Sequence, residues 1–340
     1  MKIIVTGAQV PFARGGAELL MENLVTALAD AGHDAELVRQ PSAWDRVRIF
    51  DAALAWRLAP IDADLVIATN FPSYFVRHEN KVVWLCHQHR GAYDGEGTAW
   101  SDFDGSPEAM DAQRRLMAWD AVAFTEARHT YTISKVVTDR LAKFNELPST
   151  PLYHPPPLAD RLHAGDFGPY VFSAMRLEAN KRPLPLAEAI AHLSGSAALR
   201  LAGVGSQQAA LLAKAAELGI SDRVQLLGFV PDADLIEEFA NCSAVLYAPF
   251  DEDYGYVTLQ AFMAHKPVIT SNDAGGVLEW VEDGVTGIVT DGSPEAIGDA
   301  SARLLADPAL ARRMGDAGYE RARALKWSDV VESLVGATHG

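Results

Sequence analysis

Cysteine is nearly absent: the 340 residues hold two, Cys86 and Cys242, each in or beside an apolar strand candidate. That excludes a disulfide framework and predicts buried free thiols in a reduced, cytoplasmic protein. Positive charge is also scarce. Lys plus Arg number 29 against 45 Asp plus Glu, a formal charge of −16, which argues against a nucleic-acid groove and against an anionic membrane as the main partner. The deficit is uneven, with 16 basic and 21 acidic residues (−5) in 1–165 and 13 and 24 (−11) in the remainder. The first half is therefore the less repulsive face for an anionic acceptor or a lipid headgroup. Long apolar runs are missing too. Only about four apolar residues follow Met1-Lys2, and no run approaches the roughly 18 of a membrane span, so neither export nor insertion is expected. Metal-ligand spacing is lacking as well: His87 and His89 stand at i, i+2 with no Cys or Glu companion near at ligand spacing, and no metal site is expected.

What is present is a long alternation of apolar strands, glycine turns and amphipathic helices, with 49% hydrophobic residues, enough for about two domains. Ile3–Thr6 reads as a buried strand, Ala8–Arg14 as a loop ending in Gly15-Gly16, and a helix follows with Leu20, Leu24, Ala27 and Leu28 on one face, stopped by Gly32. Glycines at a strand-to-helix turn let backbone N–H groups approach a phosphate, though a packing pair is an equal reading of the residues alone. Further strands are Ala35–Val38, Asp64–Ala68 and Val82–Cys86, the last running into His87-Gln88-His89. The polar loop Gly91–Pro107 contains Asp102-Phe103-Asp104, read as an acceptor loop or solvated surface because it precedes a helix instead of ending a strand. Pro148–Pro157 breaks both periodicities and reads as the linker. A second series of strand and helix units begins at Tyr170. Arg176 and Lys181 lie in its first exit loop, Gly203-Val204-Gly205 is a weak dinucleotide signal, and Phe229 follows a strand as either a ligand contact or core.

The most telling stretch is Asp251–Gly276, DEDYGYVTLQAFMAHKPVITSNDAGG, which follows the apolar strand candidate Ala244–Tyr247 with an acidic glycine turn, a helix, a strand and a glycine pair. In an open parallel α/β sheet such turns lie at the carboxyl edge, where ligands bind. Glu252, Asp253, Tyr254, Gly255, Gln260-Ala261, Pro267-Val268-Ile269 and Gly275-Gly276 resemble the nucleotide-sugar motif of the family-4 (group 1) retaining glycosyltransferases. Gly15-Gly16-Ala17-Glu18 resembles the Gly-Gly-x-Glu opening of that family, and Arg176 with Lys181 its Arg and Lys five apart. Two positions depart from the pattern: Asp253 replaces a glycine, and Gln260 the second glutamate. Gln keeps an acceptor and gains two donors but carries no charge, so on residue type alone Gln260→Glu should be tolerated.

The resemblance implies an α/β protein of GT-B fold, two Rossmann-like doubly wound domains facing a central cleft. An acceptor-side domain would take residues 1–154, a linker 155–168 and a nucleotide-sugar domain 169–322. Residues 323–340 would form a C-terminal helix, entered at Trp327, that crosses back to the first domain. It implies sugar transfer with retention from a UDP-, GDP- or other nucleoside diphosphate sugar to a saccharide, lipid-linked or small-molecule acceptor, without metal or cofactor. Peripheral contact with a membrane is left open. Glu252, Arg176, Lys181 and His87, with His89 as the register alternative, would be catalytic. Gly15, Gly16, Phe229, Val230, Tyr254, Gly255, Tyr256, Val257 and Gln260 would bind the donor. The departures at Asp253 and Gln260 keep open a non-catalytic or altered nucleotide-sugar-binding protein, or an epimerase, of the same fold.

Overall fold

The computed structural model describes residues 1–11, 15–98 and 101–337. Residues 12–14 of the Ala8–Arg14 loop and residues 99–100 of the Gly91–Pro107 loop lie outside the described residues. The chain divides into two compact units, one formed by Met1–His154 with the segment from Lys326, the other by Pro155–Leu325.

In the first unit the elements are β1 (Lys2–Gln9), α1 (Gly16–Asp30), β2 (Asp34–Pro41), α2 (Ile49–Arg57), β3 (Leu65–Ala68), β4 (Lys81–Leu85), α3 (Pro107–Thr125), β5 (His129–Thr132), α4 (Lys135–Asn145) and β6 (Thr150–Pro151). The strands form one parallel sheet in the order β2-β1-β3-β4-β5-β6. β3 and β4 are buried along their whole length, as strands covered on both faces must be. On α1 the buried stripe is Leu20, Met21, Leu24 and Leu28, with Met21 taking the place expected of Ala27. The proline-rich run is not all linker. Thr150-Pro151 pairs with Tyr131-Thr132 as the edge strand, a position that tolerates a residue without an N–H. His154 closes this stretch, buried between the rings of Trp84 at 5.0 Å and Trp327 at 5.6 Å. Burial pushes its pKa down to about 3, so it is neutral.

The second unit runs β7 (Tyr170–Ala174), α5 (Pro183–Ala191), β8 (Ala198–Ala202), α6 (Gln208–Glu217), β9 (Val224–Gly228), α7 (Asp232–Asn241), β10 (Ala244–Leu246), α8 (Tyr256–Met263), β11 (Val268–Ser271), β12 (Gly287–Thr290), α9 (Pro294–Ala306) and α10 (Pro308–Ala322). Its parallel sheet has the order β12-β11-β10-β7-β8-β9. The chain moves outward from β7 through β8 to β9, then returns to the other side of β7 with β10. A topological switch point therefore lies between β7 and β10, where their exit loops diverge and leave a crevice at the carboxyl edge. α11 (Trp327–Gly336) rejoins the first unit, with the Tyr131 hydroxyl donating to the Ser333 carbonyl at 3.2 Å. Among the described residues no helix is long and apolar enough to cross a membrane.

Candidate active site

The two loops that diverge at the switch point carry the charged candidates. β7 exits through Met175–Arg182 and β10 through Tyr247–Gly255, and these loops are tied together: the Phe250 N–H donates to the Asn180 carbonyl at 2.8 Å. The Lys181 ammonium donates to the Glu252 carboxylate and, at 3.3 Å, to the Tyr247 hydroxyl. Both charged side chains are mostly covered, at 12% and 19% exposure, so the pair is not a loose surface contact. Tyr247 lies beneath it, 3% exposed. Burial, and then the charge of Glu252, raise the phenol pKa well above its usual value, so it stays neutral.

The backbone that carries Glu252 is held by the β11 exit loop. The Glu252 N–H donates to the Ala274 carbonyl at 3.2 Å, and the Gly276 N–H returns a bond to the Glu252 carbonyl at 2.7 Å. Gly275 has φ +62°, and a Cβ there would sit 2.6 Å from the Glu252 carbonyl oxygen, so only glycine allows this approach. Arg182, next to Lys181, grips Asp273 of the same loop with two bonds of 2.8 and 2.6 Å. This brace shows no signature in the sequence beyond the adjacency of the two residues to the motifs.

Arg176 is exposed, yet its neighbours are pinned: the Met175 N–H donates to the Ala202 carbonyl at 2.9 Å and the Leu177 N–H to the Val204 carbonyl at 3.0 Å. The Gly-x-Gly turn thus has a structural task. A Cβ on Gly203 would lie 1.9 Å from the Met175 carbonyl oxygen, and one on Gly205 2.4 Å from that of Leu177. Its glycines let the β8 exit brace the loop that presents Arg176.

Several donor-binding expectations change in detail. Gly255 is the αL N-cap of α8, followed by Tyr256 and the buried Val257, so the first N–H groups of that helix open at the crevice. Tyr254 is 4% exposed with its ring 6.0 Å from Trp280, a core side chain that leaves only its backbone for a ligand. Phe229, open between ligand and core on sequence grounds, is 87% exposed at the end of β9 and is not core, and Val230 beside it is half-buried. Gln260 is 7% exposed and donates through Nε2 to the Pro157 carbonyl at 3.3 Å, which commits one side of its amide to the segment that opens the unit.

The remaining candidates belong to the first unit. The Gly15 N–H donates to Glu18 Oε2 at 2.8 Å, the back-bond half of a capping box, so the expected amide pair at Gly15-Gly16 is reduced to Gly16, because the Glu side chain three residues on reaches back and takes the first donor. His87 and His89 separate clearly. His89 is 6% exposed, bonded through Nε2 to the Trp44 carbonyl at 2.7 Å and ringed by Phe71 and Phe103, whereas His87 is half-buried just past β4. Asp102 accepts from the Arg46 N–H at 2.6 Å, a long-range tie, and Asp104 from the Ser106 N–H at 3.1 Å within its own turn, with Phe103 buried between them. Among the described residues no three His, Cys, Asp or Glu groups are clustered to hold a metal ion.

The profile of the glycosyl transferases group 1 family matches residues 162–321, nearly the whole second unit. The second unit belongs to the group 1 glycosyl transferases. Over 121 residues the chain is 35% identical to a D-inositol 3-phosphate glycosyltransferase of Corynebacterium glutamicum, covering 35% of this chain and 29% of that protein. The matched stretches span 24% to 39% of the length of the curated relatives. Among solved structures, sucrose-phosphate synthase from Thermosynechococcus elongatus superposes with a TM-score of 0.76 at 19% identity, over 98% of this chain and 97% of the other. HepE of Anabaena, solved with UDP and glucose, gives 0.72 at 17% identity over 99% of both chains. The two parallel six-stranded sheets are those of the GT-B fold.

Proposed function

We propose that the protein is a retaining glycosyltransferase that moves a hexose-type sugar from a nucleoside diphosphate donor to an acceptor hydroxyl, in the synthesis of a polysaccharide, glycolipid or other glycoconjugate. The observation that carries this reading is the pairing of Lys181 with Glu252 across the loops of the β7/β10 switch point, with Arg176 in the same β7 exit loop and α8 opening after the β10 loop. A departing diphosphate gathers negative charge. Arg176, Lys181 and the first amides of α8 supply fixed positive character for it, so the reaction proceeds without a metal ion. Glu252 carries the opposite charge, suited to the positive character that grows at the anomeric carbon. Phe229 with Val230 meets the base, and His87 is kept as the first unit's candidate for a bond to a sugar. Gln260 offers its remaining amide oxygen to the ribose. No carboxylate stands at position 260 to complete a retaining pair, so a double displacement through that position is excluded. A same-face substitution follows, in which the bond to the leaving phosphate breaks as the acceptor oxygen bonds to the anomeric carbon and its proton passes to that phosphate. The acceptor is a saccharide, a lipid-linked or a small hydroxyl compound, and the reaction is cytoplasmic.

The bond that commits Gln260 to Pro157 favours one other reading, a nucleotide-sugar binder or epimerase that performs no transfer. Thermal unfolding across nucleoside diphosphates and their sugars separates these outcomes when paired with an assay for released nucleoside diphosphate. A ligand at 100 times its dissociation constant adds about 2.7 kcal/mol. Stabilisation with donor turnover that survives EDTA supports the transferase. Stabilisation without turnover on any acceptor supports the binder, and no stabilisation by any nucleoside diphosphate refutes both.

A further inference from the structure

Lys181 and Glu252 reach each other from loops 71 residues apart, and both are long, jointed side chains. A diphosphate that takes Lys181 competes with Glu252 for the ammonium, and a third, fixed group would keep that charge in place during the exchange. Tyr247 stands where that is required. It opens the β10 exit loop, and its N–H donates to the Ile269 carbonyl of β11 at 2.9 Å, so its backbone is tied to the end of the sheet. The phenol oxygen lies 3.3 Å from Lys181 Nζ, with the ammonium 5.8 Å from the ring centroid. A neutral phenol has one donor and two acceptor positions, and so it can accept from the ammonium while giving its proton to the carboxylate.

We propose that Tyr247 is a positioning residue for the donor diphosphate: its fixed hydroxyl holds the Lys181 ammonium in place as the pair with Glu252 opens to admit phosphate. This rests on the reading of the crevice as a nucleoside-diphosphate-sugar site. Both charged side chains have several rotatable bonds, and the sheet-anchored phenol sets the point from which they move.

Calorimetry on the full chain with UDP, GDP, uridine and guanosine tests it, using Tyr247→Phe, Lys181→Ala and the double variant. For whichever nucleoside diphosphate binds the wild type, Tyr247→Phe should weaken binding about tenfold, the scale of one hydrogen bond to a charged group. Binding of the bare nucleoside should not change. In the Lys181→Ala background the second substitution should cost less than twofold. Unaltered diphosphate binding in Tyr247→Phe, a tenfold loss that persists without Lys181, or a parallel loss of nucleoside binding overturns the proposal. Protein grown with 3-fluorotyrosine gives a readout that needs no change at 247: the fluorine resonance that moves in Lys181→Ala must also move on saturation with the diphosphate and stay still with the nucleoside. A resonance silent to the diphosphate overturns it. A wild type that binds no nucleoside diphosphate overturns both this role and the proposed function, whereas a wild type that binds and a Tyr247→Phe that matches it overturn the role alone.

Discussion

Gln260→Glu changes one atom and should not be neutral. By residue type the change looks harmless, since a carboxylate accepts the same hydroxyl bonds as an amide. The structure reverses the expectation, because Gln260 Nε2 is the donor in a 3.3 Å bond to the Pro157 carbonyl and the side chain is 7% exposed. An ionised glutamate places an acceptor against an acceptor, loses the hydrogen bond and leaves a carbonyl unpaired beside a covered negative charge. Such losses cost about 1–3 kcal/mol. Protonating the carboxyl restores a donor, so the folded-state pKa of the introduced glutamate must rise above its unfolded value. The group is then tolerated below the unfolded pKa, and the penalty grows as pH rises through the folded one. Denaturant unfolding of wild type and variant at pH 4.5, 6 and 8 reads this directly. The expected result is a deficit of about 1–3 kcal/mol at pH 8 that shrinks toward acid pH. Equal stability at all three pH values would refute the reasoning and return Gln260 to a purely ligand-facing role.

Arg176→Ala and Lys181→Ala should each lower donor turnover by about two to three orders of magnitude, the loss seen when one preorganised charge is removed; wild-type rates in steady-state kinetics would remove that residue from the site. Glu252→Gln should lower turnover more than donor affinity, because its charge acts on character that develops in the transition state, and a pure rise in the donor Michaelis constant would contradict this. Gly203→Ala should destabilise the second unit by about 2–5 kcal/mol, since φ is +130° and the new Cβ meets the Met175 carbonyl oxygen at 1.9 Å; chemical denaturation checks it. Asp120, fully buried between the hydroxyls of Tyr74 at 2.9 Å and Tyr93 at 2.5 Å, has its pKa raised to about 7, mainly by burial. Its folded value exceeds its unfolded one, so its contribution is complete below about pH 4 and is lost as pH rises through about 7; Asp120→Asn should remove a pH-dependent loss of a few kcal/mol over that window, measured by unfolding titrations.

The sequence alone determined the alternation of strands and helices, because apolar runs such as Leu65–Ala68 and Val268–Ser271 can only be buried parallel strands once helical stretches separate them. It also marked Gly275-Gly276 as a glycine turn, although only the fold shows that Glu252 is what leaves no room for a side chain there. These are local properties, carried by spacing and residue type. Strand order was not among them. That β10 returns beside β7, and so brings Lys181 to Glu252, follows from which buried faces find mates in three dimensions, and no window of sequence contains both residues. Tyr247 read as one more apolar strand residue for the same reason: its hydroxyl matters only through what the fold sets beside it. Gly15 and Gln260 show the converse. Their motif positions are plain in the sequence, yet Glu18 and Pro157 already take a donor from each, because a buried or helix-capping amide bonds whatever acceptor the folded chain presents first.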